Sequence, residues 1–142
     1  MNRVVLDTNV VVSGTFWSGA SFQVMRLVGD GEVRLVLSSE ILCEYSEILS
    51  SEEILAKTSA NRRLVEKIIR KISNRAIFVA PTSKLRVVKD DPDDDKFIEA
   101  AVAGGAGFIV TQDKHLLKLV RYGEIEIVTP ETFLSTITQR RV

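Results

Sequence analysis

The run VVLDTNVVV, residues 4–12, constrains the fold more than any other feature, because β-branched residues crowd both sides of a single carboxylate, Asp7. A segment that is apolar on both faces of the pleat belongs in a buried parallel sheet. The run is therefore expected as a central strand, with Asp7 at the end of its apolar part. A carboxylate in such a place is costly unless it is paired or bound to a metal. Asp7 is the first candidate functional residue.

The rest of the chain alternates in the same sense. Residues 14–20 read as a loop, and helix signals run from Ser21 to Gly29, with Phe22, Met25 and Val28 three apart. Residues 33–37 read as a second strand, and Ser38 or Ser39 can cap a helix through Leu49 with the stripe Ile41, Leu42, Tyr45, Ile48 and Leu49. Residues 52–74 are helical in two pieces. Strands are expected at 76–80, 108–111 and 125–128, and helices from about Asp93 to Gly104, over 114–121 and over 130–137. Residues 85–88 extend or precede an edge. Strands alternating with helices imply an α/β sandwich around a mainly parallel sheet, as one domain over residues 1–142.

Composition narrows the setting. One cysteine, Cys43, and one histidine, His115, cannot build a zinc cluster or a disulfide scaffold, which points to a reducing cytoplasm. No apolar run reaches about 18 residues, so neither a membrane span nor a signal peptide is expected. Net charge is zero, yet residues 1–56 hold 3 basic and 8 acidic groups, residues 57–89 hold 10 and 1, and residues 90–142 hold 6 and 10. A basic middle between acidic flanks implies separate tasks for the two signs.

Ligands of open parallel sheets collect at the carboxyl ends of the strands. Four acids meet that description: Asp7, Glu44 one turn into the helix after the second strand, Asp94 at the start of a helix, and Asp113 after the strand FIVTQ. Of the cations only Lys114 is adjacent to them, so like-charge repulsion would oppose their clustering without a bound cation. An oxygen-only set suits Mg²⁺ or Mn²⁺. Glu47 reads as a solvated helix residue, and Asp91, Asp93 and Asp95 as turn, cap and surface groups. Asp94 is preferred over its competitor Asp95 because Phe97, Ile98 and Ala101 follow it at i+3, i+4 and i+7, on the inward stripe.

Taken in order, LDTNVVVSG, SSEILCEYSEIL, DPDDDKFIEAAVAGGAGFIV and TQDKHLL resemble the PIN-domain nucleases, in particular the VapC-like toxin components of toxin–antitoxin pairs. The resemblance runs from about residue 3 to 134. It implies a Rossmann-like fold, a metal-dependent ribonuclease activity, a cognate antitoxin protein and a homodimer. The family's four acids match Asp7, Glu44, Asp94 and Asp113, and its supporting polar residues match Thr8, Asn9 and Thr111. Many relatives carry a further acid where this chain has His115.

For phosphodiester hydrolysis, Asp7, Asp94 and Asp113 are expected as the metal ligands, with Glu44 direct or through water, and with Asn9 and Thr111 orienting the carboxylates. Arg63, Lys67, Arg70 and Lys71 lie on the polar side of an amphipathic helix, where they can hold RNA phosphates or simply be solvated. Phe16 and Trp17 can stack on a base, seal a subunit interface or pack on the core. A haloacid-dehalogenase-like phosphatase would need an Asp where Asn9 stands. A response-regulator receiver would need an early acidic pair, which is missing. A PIN fold serving only as a binding or regulatory module is the remaining alternative.

Overall fold

The computed structural model describes residues 2–140. Its six-stranded sheet is built on β1 (Asn2–Leu6), which is flanked in parallel by β2 (Val33–Leu37) and β4 (Phe108–Val110). Outside these lie β3 (Ala76–Phe78) and β6 (Ile125–Val128), both parallel to their neighbours, and an antiparallel edge strand, β5 (Arg121–Tyr122). The order β3-β2-β1-β4-β6-β5 reverses direction of travel at β1, so the crevice between β1 and β4 is the place where such a sheet accepts a ligand.

The sheet is shorter at β1 than the apolar run predicts. Leu6 is its last residue, the Asp7 amide closes the ladder onto the Val110 carbonyl at 2.9 Å, and α1 (Thr8–Phe16) begins at once. β-Branched residues favour strands, but β4 offers only three residues to pair with, and a longer β1 would carry unpaired backbone. As a helix the same valines bury fully, with Val10 and Val11 inaccessible to solvent. The loop expected at 14–20 shrinks accordingly to the few residues before α2 (Ala20–Gly29). A Cβ on Gly14 would lie 2.4 Å from Met25 Cγ and 2.6 Å from the Ser21 carbonyl oxygen, so a side chain there would force α1 and α2 apart.

After β2 come α3 (Ser39–Leu49), capped by Ser38 Oγ accepting from the Ile41 amide, then α4 (Glu52–Thr58) and α5 (Arg62–Arg75). α5 runs straight into β3 and ends at the amino edge of the sheet, where Arg75 approaches Gly31. Residues 79–91 form an extended strap rather than a strand. A 3-10 turn (Pro92–Asp94) then leads into α6 (Asp95–Gly104), which is closed by Gly105 at φ +63°. The helix expected over 114–121 stops after one turn, α7 (Lys114–Leu117), because Val120 takes a positive φ of 64° and sends the chain into the β5–β6 hairpin. α8 (Pro130–Arg140) covers one face, where Phe133 meets Phe108 edge to face at 5.1 Å. One continuous apolar core joins both faces of the sheet. Among the described residues, no helix is long and apolar enough to cross a membrane.

Candidate metal centre

Three chain segments deliver carboxylates to the crevice. Asp7 is the N-cap residue of α1, buried at 5% exposure directly beyond β1. Asp113 caps α7 beyond β4, its Oδ1 accepting from the His115 amide at 2.9 Å. Asp94 ends the 3-10 turn, at 8% exposure. Thr111 ties the first two together: its hydroxyl donates to Asp7 Oδ2 at 2.5 Å and accepts from the Asp113 amide at 2.9 Å.

Asp91 joins them. One carboxylate oxygen from each of Asp91, Asp94 and Asp113 lies within 4.8 Å of the others. Sequence pattern gives Asp91 only a turn role; what brings it in is the 3-10 turn, where residues three apart eclipse one another. The Asp94 amide donates to the Asp91 carbonyl at 3.0 Å, and the two side chains rise on the same side. The DPDD spacing is the signal for this.

The electrostatics reflect the crowding. Asp94 is pushed up to about 8, first by burial, then by a carboxyl–carboxyl hydrogen bond to Asp113 that only a retained proton permits, and further by the charges of Asp7, Asp91 and Asp113. Asp7 is also raised; burial dominates, opposed by the Thr111 hydroxyl and aided by the Asp113 and Glu44 charges. Asp94 Oδ2 is buried with no hydrogen-bond partner.

Asp95 is as buried as Asp94, at 6%, but turns the other way. Its Oδ1 accepts from the amides of Val87 (3.0 Å) and Val88 (2.8 Å), while Glu99 Oε2 accepts from the Leu85 amide at 2.8 Å. These two carboxylates clamp the strap onto α6.

Glu44 enters from α3 and is held on both sides. Thr8 Oγ1 donates to its Oε2, and Lys96 Nζ donates to its Oε1 at 2.6 Å. Lys96, which nothing in the sequence places beside Glu44, is the cation of this region, whereas Lys114 is exposed. Burial works against the Lys96 charge, but hydrogen bonds to Glu44 and Asp93 outweigh it and leave its pKa raised. One residue on from Glu44, the Tyr45 hydroxyl donates to the Leu6 carbonyl and fastens α3 to the end of β1. Burial, with the nearby Asp7 and Glu44 charges, holds that phenol well above its usual range.

The remaining candidates are more dispersed. Asn9 is exposed and, among the described residues, makes no hydrogen bond to these carboxylates, so of the two polar residues after Asp7 it is Thr8 that makes contact. His115 pairs with Asp90 at 3.7 Å. Arg63, Lys67 and Arg70 share a shallow groove on α5, but Lys71 turns into a separate groove formed with the carboxyl end of α2, toward the opposite edge of the sheet. Three cations of the strap, Lys84, Arg86 and Lys89, line a cavity with Asp93, Asp95, Lys96 and Glu99, on the strap side of α6. Trp17 is half exposed, its ring set edge to face on Phe16 at 6.1 Å.

Comparison with known proteins agrees with this architecture. The family model of the PIN domain matches residues 3–115, a span that includes Asp7, Glu44, Asp91, Asp94 and Asp113. Among curated protein sequences, none is significantly similar. Two solved structures share the fold. VapBC2 from Rickettsia felis, bound to a DNA fragment from its promoter, is 15% identical with a TM-score of 0.57, covering 88% of this chain and 98% of that one. VapBC-1 from nontypeable Haemophilus influenzae is 15% identical with a TM-score of 0.57, covering 91% and 98%. The phosphatase and receiver readings gain nothing from these matches. Since the matched span takes in β1, β4 and every acid gathered between them, the chain belongs to the PIN-domain family.

Proposed function

We propose that this protein is a ribonuclease that hydrolyses RNA phosphodiester bonds with Mg²⁺ or Mn²⁺, and that it is the toxin of a toxin–antitoxin pair, acting in the cytoplasm as a homodimer. One observation carries the hydrolytic reading: Asp94 Oδ2 is buried without a donor in the middle of three other carboxylates. A buried acceptor with no partner is costly, and a proton satisfies Asp94 only below about pH 8. A hard divalent cation satisfies it at any higher pH. The donor set fits such an ion, being oxygen only: carboxylate oxygens of Asp91, Asp94 and Asp113 lie within 4.8 Å of one another, and the Asp7 charge acts on Asp94 from beside them.

Asp7, Asp94 and Asp113 are assigned as ligands, with Asp91 in reach as a fourth. A bound Mg²⁺ or Mn²⁺ would supply an activated water and neutralise charge on the phosphate and the leaving oxygen. The protein's own part is to hold the geometry. Thr111 ties the Asp7 carboxylate to the Asp113 backbone amide, and Tyr45 and Thr8 fix α3 and Glu44 against the end of β1. RNA phosphates would be held by the exposed Arg63, Lys67, Arg70 and Lys71, and by the strap cations Lys84, Arg86 and Lys89, contacts that position the strand without reading its sequence.

The antitoxin assignment is supported by the two structural neighbours, which are VapBC toxin–antitoxin complexes. The deciding experiment is cleavage of single-stranded RNA by the purified protein with Mg²⁺ or Mn²⁺ and with a chelator. Metal-dependent cleavage that is lost in Asp7→Asn and Asp94→Asn supports the reading, and cleavage unchanged by Asp7→Asn under metal-limited conditions refutes the assigned centre.

A further inference from the structure

Lys96 is the most deeply buried cation of the crevice, its side chain 5% exposed, and the hydrolytic reading gives it no task. It sits in the first turn of α6, two residues beyond Asp94, and its ammonium reaches Glu44 Oε1 at 2.6 Å and Asp93 Oδ2 at 3.0 Å. The partners are unequal: Asp93 is 73% exposed and screened by water, whereas Glu44 is 23% exposed. Glu44 Oε2 is occupied as well, by the Thr8 hydroxyl. Both Glu44 oxygens therefore carry donors, one of them charged, while Asp94 Oδ2 carries none. A divalent ion drawn to Glu44 would have to sit against a fixed ammonium, and repulsion between cations in a partly buried site is weakly screened.

We propose that Lys96 is the resident cation of this centre: it withdraws Glu44 from the metal's coordination and confines the carboxylates of Asp7, Asp91, Asp94 and Asp113 to a single divalent ion. The inference rests on the metal-dependent reading above and specifies the stoichiometry of the same site. Lys96 is on this view a positioning residue that acts through Glu44. Its task requires a cation, not a particular shape, so arginine can replace it and methionine cannot.

The test is Mn²⁺ titration of the full chain, read by calorimetry and by the electron paramagnetic resonance signal of free Mn²⁺. The wild type and Lys96→Arg should each bind one Mn²⁺ per chain, and Lys96→Met should bind two because Glu44 is released. The double variant Glu44→Gln/Lys96→Met removes both charges together and guards against misfolding of the single variant. It should bind one Mn²⁺ within about threefold of the wild-type affinity, whereas Asp94→Asn should lose at least about tenfold, the scale on which metal sites respond to the removal of a supporting group. Two ions on the wild type, one ion on folded Lys96→Met, or a double variant as weak as Asp94→Asn would each overturn the role of Lys96. A wild type that binds no Mn²⁺ would overturn the metal reading beneath it, an outcome distinct from the other three.

Discussion

At the amino end of α6 two neighbouring carboxylates of nearly equal burial live in opposite circumstances. On the strap side, Asp95 is met by two backbone amides and Glu99 by a third. On the crevice side, Asp94 meets only other acids. The first arrangement completes the hydrogen bonding of an extended segment that has no sheet to join. The second leaves acceptor capacity unmet in a place where the fold could have supplied donors, since it does so one residue away. Burial by itself thus does not separate a structural acid from a functional one; the presence or absence of donors does.

The comparison breaks most visibly in activity. Asp94→Asn should lower metal-dependent RNA cleavage by about a hundredfold to a thousandfold, the scale of several kcal/mol of forfeited charge stabilisation. Asp95→Ala should leave the chemistry of the folded fraction within about threefold. If single-turnover cleavage falls equally in both, the two sides of α6 are not distinct.

Stability should rank them the other way. Asp95→Ala strands two amides in a partly buried strap and should cost about 2–4 kcal/mol, from two hydrogen bonds to a charged acceptor. Thermal melts of the metal-free protein would show a drop of several degrees or more. In melts run above about pH 8, where Asp94 is ionised, Asp94→Asn should be neutral or stabilising, because it removes a charge from a repelling group.

A pH series sharpens the contrast. The folded-state value of Asp94, about 8, lies above the ordinary carboxylate range, so the folded protein holds a proton that the unfolded chain has released. Stability from this group is complete below about pH 4 and is lost as pH rises toward and through about 8. The metal-free wild type should therefore melt lower at about pH 9 than at about pH 6, and Asp94→Asn or saturating Mn²⁺ should flatten that decline. A wild-type curve parallel to that of the Asn variant would show that Asp94 is an ordinary ionised acid.

The smallest effect is expected from the basic helix. Charge removal at Arg63, Lys67 and Arg70 should weaken RNA binding uniformly and reduce the salt slope by roughly one unit for each phosphate no longer neutralised. Lys71→Ala, in its separate groove, should do less than any of these three. Binding of uncleaved RNA in chelator as a function of salt would measure it.

Much of this is legible in the chain itself. β2, β4 and β6 follow from short β-branched runs bounded by glycine or polar residues, and the paired helices after Leu49 follow from spacing. Carboxylates at strand ends draw attention to Asp7, Glu44, Asp94 and Asp113 because such groups are expensive among apolar neighbours; of these, Asp94 and Asp113 lie together with Asp91, Asp7 is joined to the Asp113 amide through Thr111, and Glu44 is held by Lys96. The parts that differ share a cause. Whether residues 10–12 continue a strand or start a helix is decided by the length of β4, about a hundred residues away. The meeting of Lys96 with Glu44 spans 52 positions. The entry into β5 needs a positive φ at Val120, a residue whose type argues against it, before the hairpin turns at Gly123.

Gly104, at the far end of α6, gives the centre a remote point of failure. A Cβ there would lie 2.5 Å from Val36 Cγ1, on a buried residue of β2, and the Gly104 carbonyl takes a hydrogen bond from Arg3 at 3.0 Å. The helix is pinned at that end by close backbone approach and at the other by the strap, about 15 Å away at the rise of an α-helix. Such an element behaves as a beam on two supports: lifting one end tilts the other. Gly104→Ala, a change of one methyl group far from any carboxylate, would swing Asp94 out of alignment, so the tolerance of this protein to mutation is governed by leverage as much as by proximity to the metal.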